Sequence, residues 1–187
     1  MDILVARHGE SVMNTDGRCA GWFNDELTET GRAQAKKLAT HIPEGLTVIF
    51  SSPLSRALET ARIIADHHKV PKERIRGDGK LMERNFGVKF QKHTWEEFAA
   101  IAGHDLKPAD RALRYDYTRF GGESVDRVKA RVQEILPEIR REEGKKVLVV
   151  THGGIIRILK SMFPYEVAHG VDEEGEMKPA TLYRFTI

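Results

Sequence analysis

The sequence has almost no cysteine. Cys19 stands alone among 187 residues, so no internal disulfide can form and a reducing, cytoplasmic setting is expected. An excess of one charge is lacking too. Thirty Lys and Arg against 28 Asp and Glu leave a formal net charge of +2, which gives no signal for nucleic acid. No apolar run approaches membrane-spanning length, and MDILVAR is too short and lacks the basic leader of a signal peptide. There is no Gly/Ser/Pro-rich linker, no low-complexity tract and no repeat, so a single domain over residues 1–187 is expected. Several routes to phosphate or ester chemistry are also missing. The chain has no Asp-x-Asp pair, no Walker motif, no G-x-G-x-x-G and no G-x-S-x-G. A cysteine phosphatase needs an Arg six residues after its Cys, and Asp25 occupies that place. His41, His67, His68, His93, His104 and His169 show no zinc-ligand spacing.

What is present is an alternation of short apolar runs and helical patterns. ILVA (3–6), TVIF (47–50) and VLVVT (147–151) are continuous, as in strands buried on both faces of a parallel sheet. LYRFTI (182–187) alternates and reads as an edge or final strand. Thr28 or Thr30 caps a helix carrying Ala35, Leu38 and Ala39. Pro53 marks the start of a second, with Leu54, Leu58, Ala61, Ile64 and Ala65. Ser124 caps a third, burying Val125, Val128, Val132, Ile135 and Ile139, with Pro137 placed to bend it. The polar, aromatic and basic segment 88–120 reads as helical in part. The expected fold is α/β: one three-layer domain, a mostly parallel central sheet flanked by helices.

Two of these corners repeat one plan. MDILVARHGE and VLVVTHGG each run from an apolar strand into His-Gly and then a helical pattern. In open α/β sheets ligands bind at the carboxyl ends of strands, and neighbouring strands are about 5 Å apart. His8 and His152 are thus placed to face one small ligand. Arg56 falls in the first turn of the helix after a third strand, and Arg7 adjoins His8. Cations at a helix start cost stability unless an anion balances them. A phosphoryl group fits: guanidinium groups bind its oxygens in pairs, and a neutral imidazole is a competent nucleophile toward phosphorus. The leaving alkoxide then needs a proton, for which Glu83 in KLMERNFG is the candidate. Each residue alone has an ordinary reading as a loop, capped or solvated side chain. Their joint placement at strand-to-helix corners is far more specific.

These residues resemble the histidine phosphatase superfamily, which includes cofactor-dependent phosphoglycerate mutases and many small-molecule phosphatases. RHGES-x-x-N (Arg7 to Asn14), GWFNDELTETG, SSPLSRALETA, ERNFG, GGES and THGGIIR follow in the family's order over nearly the whole chain. The resemblance implies phosphoryl transfer to His8, a clamp of Arg7, Arg56 and His152, and Glu83 as proton donor and then activator of water. By motif position, Asn14, Ala20, Gly21, Arg84 and Gly153 line the substrate site. No metal and no cofactor are implied.

Within the family the reading favours a phosphatase acting on small phosphomonoesters. The mutases carry a long insertion between the acid and the second histidine, and here that interval is short. Ala20 stands where mutases usually have a hydroxyl residue, and Thr94 where they have a lysine. Glu83-Arg84 resembles the mutase Glu-Arg pair, so a phosphoglycerate mutase primed by 2,3-bisphosphoglycerate is the alternative. FQKHTW is similar to the phosphatase pattern FEGKTW, with Lys92 in place of its glycine. Arg111, Arg114 and Arg119 are candidates for gripping a second phosphate, against a solvated helix face as the commoner use. An inactive phosphate-binding regulatory module would have lost His8, Arg56, Glu83 or His152, and all are present. The expected partner is a small phosphorylated metabolite, with neither nucleic acid nor membrane, and the expected state is a monomer or homodimer.

Overall fold

A computed structural model of the chain describes residues 1–102, 113–170, 172–173 and 176–187. Strands β1 (Asp2–Arg7), β2 (Leu46–Ser51), β3 (Ile75–Gly77), β4 (Lys146–Thr151), β5 (Tyr165–His169) and β8 (Leu182–Thr186) form one sheet in the order β3-β2-β4-β1-β8-β5. The first four in that order are parallel, and β8 runs antiparallel to both β1 and β5. β6 (Asp172–Glu173) and β7 (Glu176–Met177) make a separate two-stranded ribbon. The helices are α1 (Val12–Thr15), α2 (Glu29–Ala39), α3 (Ser55–His68), α4 (Trp95–Ala102), α5 (Val125–Arg140) and α6 (Gly153–Met162). Among the described residues, no helix is long and apolar enough to cross a membrane.

The continuous apolar runs are explained by two cores, one on each face of the sheet. Ile3, Val5, Val48, Phe50, Val147 and Val149 point to α5 and α6, meeting Val132, Ile135, Ile155 and Ile158. Leu4, Ala6, Ile49, Leu148 and Val150 point the other way, onto Leu38 of α2 and Ala57, Ala61 and Ile64 of α3. Both positions of the two-residue period are therefore apolar, and each large side chain so buried contributes roughly 1.5–3 kcal/mol. This is the three-layer α/β arrangement expected from the sequence.

Local chemistry sets the helix starts. Thr28, and not Thr30, caps α2: its Oγ1 accepts from Gly31 N at 2.9 Å. Ser124 caps α5, and that helix continues through Pro137 to Arg140. β8 is the last strand but not an edge. β5 covers it, and β5 was not legible because four of its five residues are exposed and it carries no apolar run. β3 has only three residues, too few to show a period. In the 88–120 segment, α4 and short 3-10 turns surround an aromatic cluster of Phe86, Phe90, Phe98 and Tyr117 with Cys19. Lys92 has a φ of 70°, which accounts for the glycine of the similar phosphatase pattern.

Gly9 serves packing. A Cβ on it would stand 2.4 Å from the carbonyl oxygen of Gly31, and a Cβ on Gly31 would stand 2.0 Å from that of Glu10. Both neighbours are backbone and cannot rotate away, so the loop after β1 seats directly on the first turn of α2. Helix propensity alone would make Gly31→Ala stabilising by about 1 kcal/mol. The contact reverses the sign, and a loss of about 1–3 kcal/mol is expected in urea unfolding. An unchanged or raised midpoint would show that this seat is not rigid.

Candidate active site

Three parallel neighbours, β2, β4 and β1, end at one side of the molecule, and each hands its chain to a polar corner. His8 follows β1, His152 follows β4 as the N-cap of α6, and Arg56 lies in the first turn of α3 after β2. Arg7 is in register with Thr151, so the two histidines emerge side by side. Their rings stand edge to face with centroids 5.0 Å apart. Arg7, His8, Arg56 and Glu83 share the wall of one cleft, as do Asn14, Ala20, Gly21, Arg84 and Gly153. His152 is fully buried immediately beside His8.

The tautomer of His8 is fixed by the backbone beside it. Its Nδ1 lies 2.6 Å from the carbonyl oxygen of Gly9. A carbonyl only accepts, so Nδ1 carries the proton and Nε2 keeps its lone pair. Burial, and then the guanidinium groups of Arg56 and Arg7, hold the imidazole well below its ordinary value, so it is neutral. His152 is lowered in the same way, by burial and then by Arg56 and His8. Its Nε2 meets the Ser52 hydroxyl at 2.7 Å, which fixes the ring.

The cations are arranged unequally. Arg56 is 2% exposed and its Nη1 donates to Asp25 Oδ1 at 2.8 Å and to the Phe23 carbonyl at 2.9 Å. Nη2 donates to the Gly21 carbonyl at 2.9 Å. The other oxygen of Asp25 accepts from Met13 N at 3.1 Å. Arg7 donates through Nη1 to the Met177 carbonyl, while its buried Nε has no partner. Burial lowers Arg7 to about 10, still cationic at neutral pH. The buried Nδ1 of His152 is also without a partner. Unsatisfied buried polar groups cost roughly 1–3 kcal/mol each, and an anion's oxygens are the complementary acceptors.

Glu83 is set from behind. Its Oε1 accepts from Arg84 N at 2.8 Å and its Oε2 from Gly154 N at 3.2 Å. A Cβ on Gly154 would stand 2.2 Å from Oε1, so that glycine makes room for the carboxyl. Arg84 lines the cleft, but its side chain is spent elsewhere. It donates to the carbonyls of Tyr115 and Glu123 and lies 4.4 Å over the Tyr117 ring. Arg111 lies outside the described residues, Arg114 is exposed, and Arg119 packs 4.5 Å over the Phe120 ring. Arg18, Phe86, Trp95, Gly154 and Arg157 complete the wall. Among the described residues, no group of three or more His, Cys, Asp or Glu side chains is placed to hold a metal ion. Asp25 and Ser52 went unassigned in the sequence, although both lie inside the quoted motifs GWFNDELTETG and SSPLSRALETA.

A family model described as histidine phosphatase superfamily (branch 1) matches residues 3–185, and the chain belongs to that superfamily. It is 36% identical over 162 residues to a phosphoglycerate mutase-like protein 4 of Arabidopsis thaliana, covering 84% of this chain and 69% of that one. It is 34% identical over 165 residues to a 2,3-bisphosphoglycerate-dependent phosphoglycerate mutase 2 of Gloeobacter violaceus, covering 84% and 73%. Among solved structures, a mycobacterial glucosyl-3-phosphoglycerate phosphatase superposes with a TM-score of 0.74 at 28% identity, over 98% of this chain and 88% of that one.

The lowered histidines give a signed expectation. Below about pH 6.5 the unfolded chain binds protons at His8 and His152 that the folded chain refuses. Their contribution to stability is complete above that pH and is lost as pH falls through it toward the folded values. Nitrogen-15 NMR at pH 6.5 should show His8 neutral with its proton on Nδ1. A half-protonated His8 at that pH would contradict the electrostatics described.

Proposed function

We propose that this chain is a metal-independent phosphatase of small phosphomonoesters that works through a phosphohistidine on His8. The observation carrying the reading is the neutral, Nδ1-protonated His8, whose lone pair on Nε2 is kept in a cleft shared with Arg7, Arg56 and Glu83. Nε2 attacks phosphorus as the ester P–O bond breaks, and the departing oxygen takes its proton from Glu83. The Gly9 carbonyl, already bonded to Nδ1, steadies the imidazolium charge that forms. Water then attacks phosphorus, Glu83 takes its proton, and the P–Nε2 bond breaks to free inorganic phosphate. Arg7, Arg56 and His152 stabilise the charge on the equatorial oxygens in both steps.

Two residues support hydrolysis over phosphoryl shuttling, Ala20 and Thr94. A mutase must keep water from the phosphohistidine while its substrate turns. Ala20 brings no hydroxyl to the wall. Thr94 is occupied by α4, where its Oγ1 accepts from Glu97 N at 3.2 Å and its own N–H donates to Glu97 Oε2 at 2.8 Å. The mutase reading keeps its support from the relatives that bear that name, and the phosphatase reading has its own among solved structures.

Supplying 2,3-bisphosphoglycerate and 3-phosphoglycerate together separates the two. Release of phosphate that outpaces formation of 2-phosphoglycerate is expected. Rapid isomerisation with negligible phosphate release would make the mutase the better reading. Acid-labile, base-stable phosphate should be trapped on the wild type and be absent from His8→Ala. Arg56→Ala should lower kcat by roughly 10²–10³-fold, as for removal of other preorganised charge stabilisers.

A further inference from the structure

Arg131 on α5 has no role in the chemistry above, yet its guanidinium grips the backbone that carries Glu83. Nη1 donates to the carbonyls of Lys80 at 2.6 Å and Met82 at 2.9 Å, and Nη2 to that of Glu83 itself at 3.1 Å. Nε and Nη2 also grip the Glu123 carboxylate, at 2.8 and 3.0 Å. Glu123 continues the bracket on the far side of Glu83. Its Oε2 accepts from Asn85 N at 2.8 Å, and its backbone N–H donates to the Asn85 carbonyl at 2.8 Å. The two side chains are only 14% and 12% exposed. Residues 82–87 belong to no strand or helix, so no ladder fixes this stretch. Its carbonyls need partners, and the planar fork of an arginine meets several at once.

Resting on the reading of Glu83 as the acid, we propose that Arg131, with Glu123, is a positioning residue that holds the Glu83 carboxyl at proton-transfer distance from the leaving oxygen. Proton transfer needs heavy atoms about 2.6–3.2 Å apart, and a misplacement of about 1 Å can cost roughly 10²-fold. A lysine at 131 keeps the charge but cannot reach the Lys80, Met82 and Glu83 carbonyls and the Glu123 carboxylate together.

The test is leaving-group selectivity. kcat/KM reports the step in which the alcohol departs. It is measured for p-nitrophenyl phosphate, whose leaving group needs little protonation, and for 3-phosphoglycerate, whose alkoxide needs much. Arg131→Lys should lose at least tenfold more on the alkyl ester than on the aryl one. Glu83→Gln should show the same selective loss, and Arg131→Lys added to Glu83→Gln should cost less than about twofold further. If Arg131→Lys does not fold, Glu123→Gln is expected to give the selective loss. Equal losses on both esters, or losses that multiply in the double variant, would reduce Arg131 to general scaffolding and overturn the inference. If Glu83→Gln itself shows no selectivity, the acid assignment fails, and the inference falls with it.

Discussion

Two guanidinium groups meet at the carboxyl end of the sheet, and one carboxylate, Asp25, is bonded directly to one of them. Arg56 and Asp25 are nearly sealed from water, at 2% and 4% side-chain exposure. Taking away one partner of such a pair typically costs about 3–5 kcal/mol. That pair fixes the depth at which positive charge is presented. Arg7 donates to the Met177 carbonyl, and the more distant Glu83 is the neighbouring charge that offsets it most. Burial first, and then the neighbouring cations, keep His8 and His152 neutral.

The rest of the fold serves that end of the sheet. The two cores fix the register of β1 and β4, and the register sets the spacing of the two histidines. The Gly9–Gly31 seat fixes where the chain turns away after His8. The aromatic cluster around Phe86 and Phe98 packs behind the part of the wall that Phe86 and Trp95 supply.

The central strands and the convergence of Arg7, His8, Arg56 and His152 were legible because each strand is apolar on both faces and each polar residue sits at its end. Glu83 was legible as the acid a leaving oxygen needs, but not what holds its carboxyl, since Gly154 lies 71 residues away. Asp25 escaped because its partner lies 31 residues further on, and nothing local marks a carboxylate destined for burial. β3 and β5 escaped because an edge strand needs no continuous apolar run. Arg84 lines the cleft, as its motif position suggested, while its guanidinium donates to the Tyr115 and Glu123 carbonyls.

The claim that this charge arrangement awaits a phosphoryl transition state is tested most directly by calorimetric titration with inorganic vanadate, set against inorganic phosphate. Transition-state mimics bind at least about 10²-fold tighter than ground-state ligands when a site is built for the transition state. One vanadate per chain should bind more tightly than phosphate by that margin, and Arg56→Ala should erase most of the difference. Equal affinity for the two anions, or a preference that survives loss of Arg56, would contradict the account.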